Sequence, residues 1–349
     1  MSTRKVDIHR LEGTPHDEAK GYLEMKDPSV IREKDGGYLM YCSLGTSTTQ
    51  QWVVGRFRAA HPAGPWQELP CAKIEGVEGR EVCAPAMMLA EKDGKPLYQM
   101  YVQTTCFHPG GVIALATSTD GEHFTGAAEP AAKPEDLKPE DRANVMSLYD
   151  VGMSDMDMNG KTYECMVYSG YRRVGCGDVY MSLREKPEAG AQTPWSVPTL
   201  ILKQEDVPFH NRPDKDNFEW GLEGVKIDKL ADGAFLMTGV CFLDLPNEAR
   251  GTRQRVFFAA ADKPEGPWVP MRTPVEPTAY PEGTGENGHP DTIDLGEKLG
   301  LLYQERAGEG KPWHLRYTEY SKQELVAEIR QHLGAARQAA PVRSASPKP

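Results

Sequence analysis

Five times along the 349-residue chain the same two-part pattern returns, a short opening run with a polar glycine-containing turn and then an aromatic-rich run. The copies are DPSVIREKDGGYLMYCS, APAMMLAEKDGKPLYQMYVQ, DVGMSDMDMNGKTYECMVYSG, EGVKIDKLADGAFLMTGV and HPDTIDLGEKLGLLYQER, which open at Asp27, Ala84, Asp150, Glu223 and His289. Repetition at a long, fixed order marks an architecture of stacked supersecondary units, each unable to bury its apolar face alone. Strand-like runs joined by tight polar turns make each unit a β-hairpin.

A second element follows the first four hairpins. RFRAAHPAGPW, MSLREKPEAGAQTPW and VFFAAADKPEGPW end on Trp66, Trp195 and Trp268, and ALATSTDGEHF ends on Phe124. Each reads as a third strand, a turn built on Pro or Gly, and an aromatic that starts a fourth strand. The expected fold is all-β, a five-bladed β-propeller with a short C-terminal helix. A two-sheet sandwich also uses many short strands, but gives no reason for the same hairpin and aromatic edge to recur in order. The openers lie about 57 to 73 residues apart, beyond the ~40 to 50 of compact propeller repeats, so long loops are expected between strands. The 28 Pro and 34 Gly supply the turns for such a chain.

The propeller is assigned to residues 21–320. Before it, 1–20 form an arm in which Lys5 to Leu11 alternate apolar and polar, as an outer strand closing the ring would. After it, Ser321 and Glu324 form a capping box ahead of Leu325, Ile329 and Leu333, which predicts a helix over 321–338. The polar, Pro-containing remainder, 339–349, is expected to be disordered.

Charge and composition exclude several function classes. A net charge of -11 argues against nucleic acid, whose phosphates need clustered Lys and Arg. No apolar run approaches the ~20 residues that span a bilayer, and the N-terminus MSTRKVDIHRLEG lacks the apolar core of a signal peptide, so the expectation is a cytoplasmic protein without a membrane partner. The seven cysteines are odd in number and contain no Cys-x-x-Cys pair, which predicts buried hydrophobes rather than disulfides or a zinc site. Oligomeric state is left open.

The openers sit at the start of what would be the innermost strands, facing the propeller axis. Three of the five are carboxylates: Asp27, Asp150 and Glu223. Glycoside hydrolysis needs one carboxylic acid to protonate the leaving oxygen and one carboxylate to activate water or attack the sugar. A third acid nearby raises its neighbour's pKa by like-charge repulsion.

At these residues the chain resembles the five-bladed propeller glycoside hydrolases, especially family 43 and its relatives acting on arabinosides and xylosides. The matches are Asp27-Pro28, Asp150 and Glu223-Gly224, with Ala84-Pro85 and Gly288-His289 opening blades two and five. The resemblance covers residues ~20 to 320 and implies Asp27 as general base, Asp150 as the group that tunes pKa, and Glu223 as general acid, with inversion at the anomeric carbon. It implies no required cofactor or metal, and leaves room for an axial calcium or sodium ion near His289. Two departures stand out. Asp150 is followed by Val151 instead of Pro, so Asp155 and Asp157 compete for its role, with the spacing to Tyr163 favouring Asp150. Blade five reads His-Pro where the family more often has His-Gly.

Asp155, Asp157, Asn159 and Gly160 imitate the start of a calcium-binding EF-hand loop, yet its twelfth position is Met166 instead of an acid. A hairpin closed by Asn159-Gly160 accounts for the run. Trp52, Trp220 and Arg306 flank the inner strands as candidates to stack on and hydrogen-bond a sugar, with His289 beside them. The leading expectation is an inverting glycosidase acting on a small carbohydrate or glycoside. The alternative is a propeller pseudo-glycosidase, a biosynthetic enzyme or a binding protein using the same acidic pocket on a non-sugar ligand.

Overall fold

The computed structural model describes residues 5–6, 22–46, 52–79, 82–105, 108–172, 177–186, 193–208, 221–244, 252–273, 285–307 and 312–339. They form five sheets, antiparallel apart from one added strand, arranged as the blades of a propeller. The inner strands are Tyr22–Arg32, Cys83–Lys92, Val145–Met158, Glu223–Lys229 and Glu286–Asp294. Each pairs with a second strand through a short turn, and third and fourth strands follow outward. Blade two gains a fifth strand, Lys73–Glu75, added parallel to His123–Gly126. In blade five the outermost strand is Lys5–Val6, paired with Tyr317 and Thr318.

Apolar residues on both faces of each sheet are buried between neighbouring blades. Val167, Val179 and Met181 of blade three meet Val225, Ile227 and Phe257 of blade four. Met40, Cys42 and Phe57 of blade one meet Leu302, Leu315 and Tyr317 of blade five. The predicted aromatic edges are part of this packing. Trp66 and Phe124 are each 1% exposed, and the Trp66 and Trp268 indoles donate to the carbonyls of Pro62 and Pro264. The hairpin at Asn159-Gly160 turns through two positive-φ residues, as a tight I′-type connection requires.

The C-terminal helix, Lys322–Ala339, lays Leu325, Ile329 and Leu333 against Leu236, Phe258 and Leu301 of blades four and five. Ser321 Oγ accepts the Glu324 N–H at 3.3 Å, the N-cap contact anticipated from sequence. Among the described residues Cys42, Cys83, Cys165 and Cys241 are buried thiols and Cys71 is a half-buried one, none of them in a disulfide.

Each inner strand carries a bulge at one equivalent place, with register shifts at Lys26/Ser29, Cys83/Ala86, Tyr149/Gly152, Glu223/Lys226 and Gly288/Asp291. The residue at the bulge has left-handed backbone in every blade: Asp27 (φ 51), Ala84 (φ 50), Asp150 (φ 47), Gly224 (φ 52) and His289 (φ 44). This corrects the alignment of the openers in blade four. The counterpart of Asp27 is Gly224, and Glu223 stands one residue earlier, level with Lys26, Cys83, Tyr149 and Gly288.

Candidate active site

The bulges stack three residues from every blade around the axis. The upper ring is Asp27, Ala84, Asp150, Gly224 and His289; the middle ring is Pro28, Pro85, Val151, Val225 and Pro290; the lower ring is Ser29, Ala86, Gly152, Lys226 and Asp291. These fifteen residues and Met153 line an axial cavity. Non-glycine residues rarely adopt positive φ, and such strain persists only where the surroundings over-determine it. Here it turns Asp27, Asp150 and His289 toward one point.

His289 joins the acids. Its Nδ1 lies 3.1 Å from Asp27 Oδ1 and 3.8 Å from Asp150 Oδ2, and its Nε2 lies 3.5 Å from Glu223 Oε2. Asp27, Asp150, Glu223 and His289 are each at most 9% exposed. Glu223 reaches this cluster from the row above the bulge, which explains why it does not line the axial cavity while Gly224 does. Gly224 also leaves room for the ring, since a Cβ there would stand 3.0 Å from His289 Nδ1. Glu223 Oε1 is buried and has no hydrogen-bond partner among the described residues.

Burial pushes Asp150 up to about 7; the His289 charge opposes this, and the Glu223 and Asp27 carboxylates add to it. For His289 burial acts downward, but Asp150, Asp27 and Glu223 outweigh it and raise the imidazole to about 9. At neutral pH the ring is therefore a buried cation, and the Asp150 carboxyl group is near its own midpoint. Lys26 adds a second positive charge. Burial opposes its ionisation, yet the carboxylates of Asp27, Asp150 and Glu223 prevail and raise its pKa. Its ammonium lies 4.8 Å from the centre of the Trp52 ring.

Asp150, Glu223 and His289 each offer one ligand-type atom, all within 4.8 Å of one another. Both ring nitrogens face carboxylate oxygens at ion-pair distance, an arrangement that favours the charged imidazolium, whereas a metal would need the free lone pair of a neutral ring.

The remaining candidates fall in different places. Trp52 is beside the cluster through Lys26. Arg306 is engaged within blade five, its Nε 2.5 Å from Glu286 Oε2 and its guanidinium 4.4 Å from the Trp313 ring centre. Trp220 lies outside the described residues. Asp155 is exposed and paired with Lys186, away from the axis. Sequence reasoning missed Lys26, although it immediately precedes Asp27.

No protein-family model and no curated protein matches the chain. Solved structures do. The chain is similar to an endo-arabinase from Bacteroides thetaiotaomicron VPI-5482 at 16% identity and TM-score 0.59, over 86% of this chain and 95% of that one. It is similar to a GH62 hydrolase in complex with xylotriose at 16% identity and TM-score 0.59, over 89% and 95%. The catalytic domain of a GH62 α-L-arabinofuranosidase from Coprinopsis cinerea gives 16% identity and TM-score 0.55 over 89% and 95%. The shared property is the five-bladed propeller of arabinosidase- and xylosidase-type glycoside hydrolases.

Proposed function

We propose that the protein is a glycoside hydrolase that acts with inversion on a short arabinoside- or xyloside-like oligosaccharide. The observation that carries this reading is Glu223 Oε1, a buried carboxyl oxygen without a hydrogen-bond partner among the described residues, in one cluster with a second carboxylate at Asp27. An unpaired buried acid is costly unless a ligand completes it.

In the proposed reaction Glu223 gives its proton to the glycosidic oxygen as the bond to the anomeric carbon breaks. Asp27 takes a proton from the water whose oxygen forms the new bond to that carbon. Asp150, raised to about 7, holds a proton within the same cluster near neutral pH, from which Glu223 is protonated before it acts. Lys26 and His289 offset the carboxylates, which suits a neutral sugar, and Trp52 offers an apolar face for stacking. The imidazolium supplies positive charge at the axis, so the reading needs no resident metal.

Two measurements test it. The anomer released first, followed by NMR, is expected to have inverted configuration, and retained configuration would overturn the stereochemical assignment. Glu223→Gln is expected to lower hydrolysis of an unactivated glycoside by about 10²- to 10⁴-fold, and full retention of rate would remove Glu223 as the acid.

One observation favours a second reading, a propeller that binds a ligand without cleaving it. The His289 ring bridges Asp27 and Glu223, where an inverting enzyme must admit water and sugar. Uniform inactivity of the folded protein on a panel of aryl glycosides would favour that reading.

A further inference from the structure

A bulge withdraws one amide from the strand ladder, and that amide needs another partner. In every blade, one second-strand residue pairs with the residue just before the bulge: Ser43, Gln103, Ser169, Val240 and Gln304. From this position side chains reach forward to the next blade. Gln304 Oε1 accepts the Asp27 N–H at 3.1 Å, and Gln103 Oε1 accepts the Asp150 N–H at 3.0 Å. Ser43 Oγ accepts the Ala84 N–H at 2.8 Å. Glutamine thus stands ahead of both aspartates, and serine ahead of the alanine.

We propose that Gln304 and Gln103 are positioning residues of the acid cluster, each fixing from the preceding blade the left-handed backbone from which Asp27 or Asp150 projects. Both are enclosed, at 0% and 4% exposure. Their amide nitrogens are tethered too. Gln103 Nε2 donates to Cys83 Sγ at 3.2 Å and Gln304 Nε2 to Gln254 Oε1 at 3.5 Å, which turns each amide oxygen toward its aspartate. Because the backbone sets the direction of a short side chain, loss of this bond moves the carboxyl relative to His289 and Glu223. A displacement of about 1 Å in a reacting group costs on the order of 100-fold in rate.

Ser43 supplies the internal control. It makes the same contact to a bulge that carries no acid, so its loss removes the same kind of bond from a residue that is not a carboxylate. The catalytic part of the inference rests on the glycosidase reading; the geometric part does not.

The experiment compares Gln304→Met, Gln103→Met and Ser43→Ala by two readouts. On a glycoside cleaved by the wild type, the glutamine variants are expected to lose roughly 10- to 100-fold in kcat with KM within about twofold, and Ser43→Ala to keep its kcat. By NMR, the His289 titration midpoint is expected to move by about half a pH unit or more in the glutamine variants, since the ring faces Asp27, Asp150 and Glu223 with Lys26 close by, and to stay in place in Ser43→Ala. Equal behaviour of all three variants in the titration would overturn the proposal. If the wild type cleaves no glycoside, the glycosidase reading fails and the His289 titration alone decides the positioning role. Should a methionine variant not fold, Gln304→Asn and Gln103→Asn keep the amide but fall one methylene short, with the same expectation.

Discussion

Two clusters of buried charge occupy the same axis, and they are completed to different degrees. At the lower ring, Lys226 Nζ donates to Asp291 Oδ1 at 2.6 Å and to the Thr292 carbonyl at 2.8 Å. Asp291 also accepts the Val30 N–H at 2.6 Å and the Thr292 N–H at 2.9 Å, and Thr292 Oγ1 donates to Asp228 at 2.6 Å. These bonds join blades four, five and one. At the upper end His289 holds its acids at 3.1 to 3.8 Å and Glu223 Oε1 has no hydrogen bond among the described residues. A satisfied network rigidifies and specifies a core, and an unpaired buried polar group is costly until something completes it.

The sharpest break in this contrast comes from one variant at each end. Glu223→Gln is expected to lower hydrolysis of an unactivated glycoside by about 10²- to 10⁴-fold while thermal unfolding moves little. An aryl glycoside with a good leaving group should lose less, because it needs less protonation. Asp291→Ala reverses the pattern. It strands the buried Lys226 charge, and denaturant unfolding should show a loss of about 3 to 5 kcal/mol. If Glu223→Gln destabilised the protein as much as Asp291→Ala, both clusters would be structural.

Proton linkage separates the ends next. Asp150 rises to about 7 and His289 to about 9, so these two groups bind more protons in the folded chain than in the unfolded chain from about pH 4 to about pH 9. Stability contributed by His289 is full below about 6.5 and is lost as pH rises through about 9. Melting temperature should therefore fall across the upper part of that window, and His289→Gln should flatten the fall. An unchanged slope in the variant would show that the ring does not carry the charge assigned to it. The smallest expected effect is from chelation, since dialysis against EDTA should leave both melting temperature and hydrolysis unchanged.

Much of this was legible in the sequence. The hairpins and aromatic edges repeat because each blade faces the same packing problem on both sides, and the repeat survives in composition and turn residues. Register was harder. Glu223-Gly224 looks like the partner of Asp27-Pro28, but the bulge requires left-handed backbone, and glycine is the residue that adopts it most readily. Gly224 was the available cue. Lys26, Gln103 and Gln304 carry no local motif, since their roles arise across blades from residues distant in sequence.

Blade five is assembled from opposite ends of the chain, because its outermost strand, Lys5–Val6, pairs with Tyr317 and Thr318. Adding that strand to blade five thus depends on a loop closure from Val6 to Tyr317, which costs entropy before any contact repays it. During synthesis the other four blades can be made while the first strand still waits for its partner. Refolding should accordingly show a slow final phase, and a circular permutant that joins the termini and opens between blades two and three should make that closure local and shorten the phase.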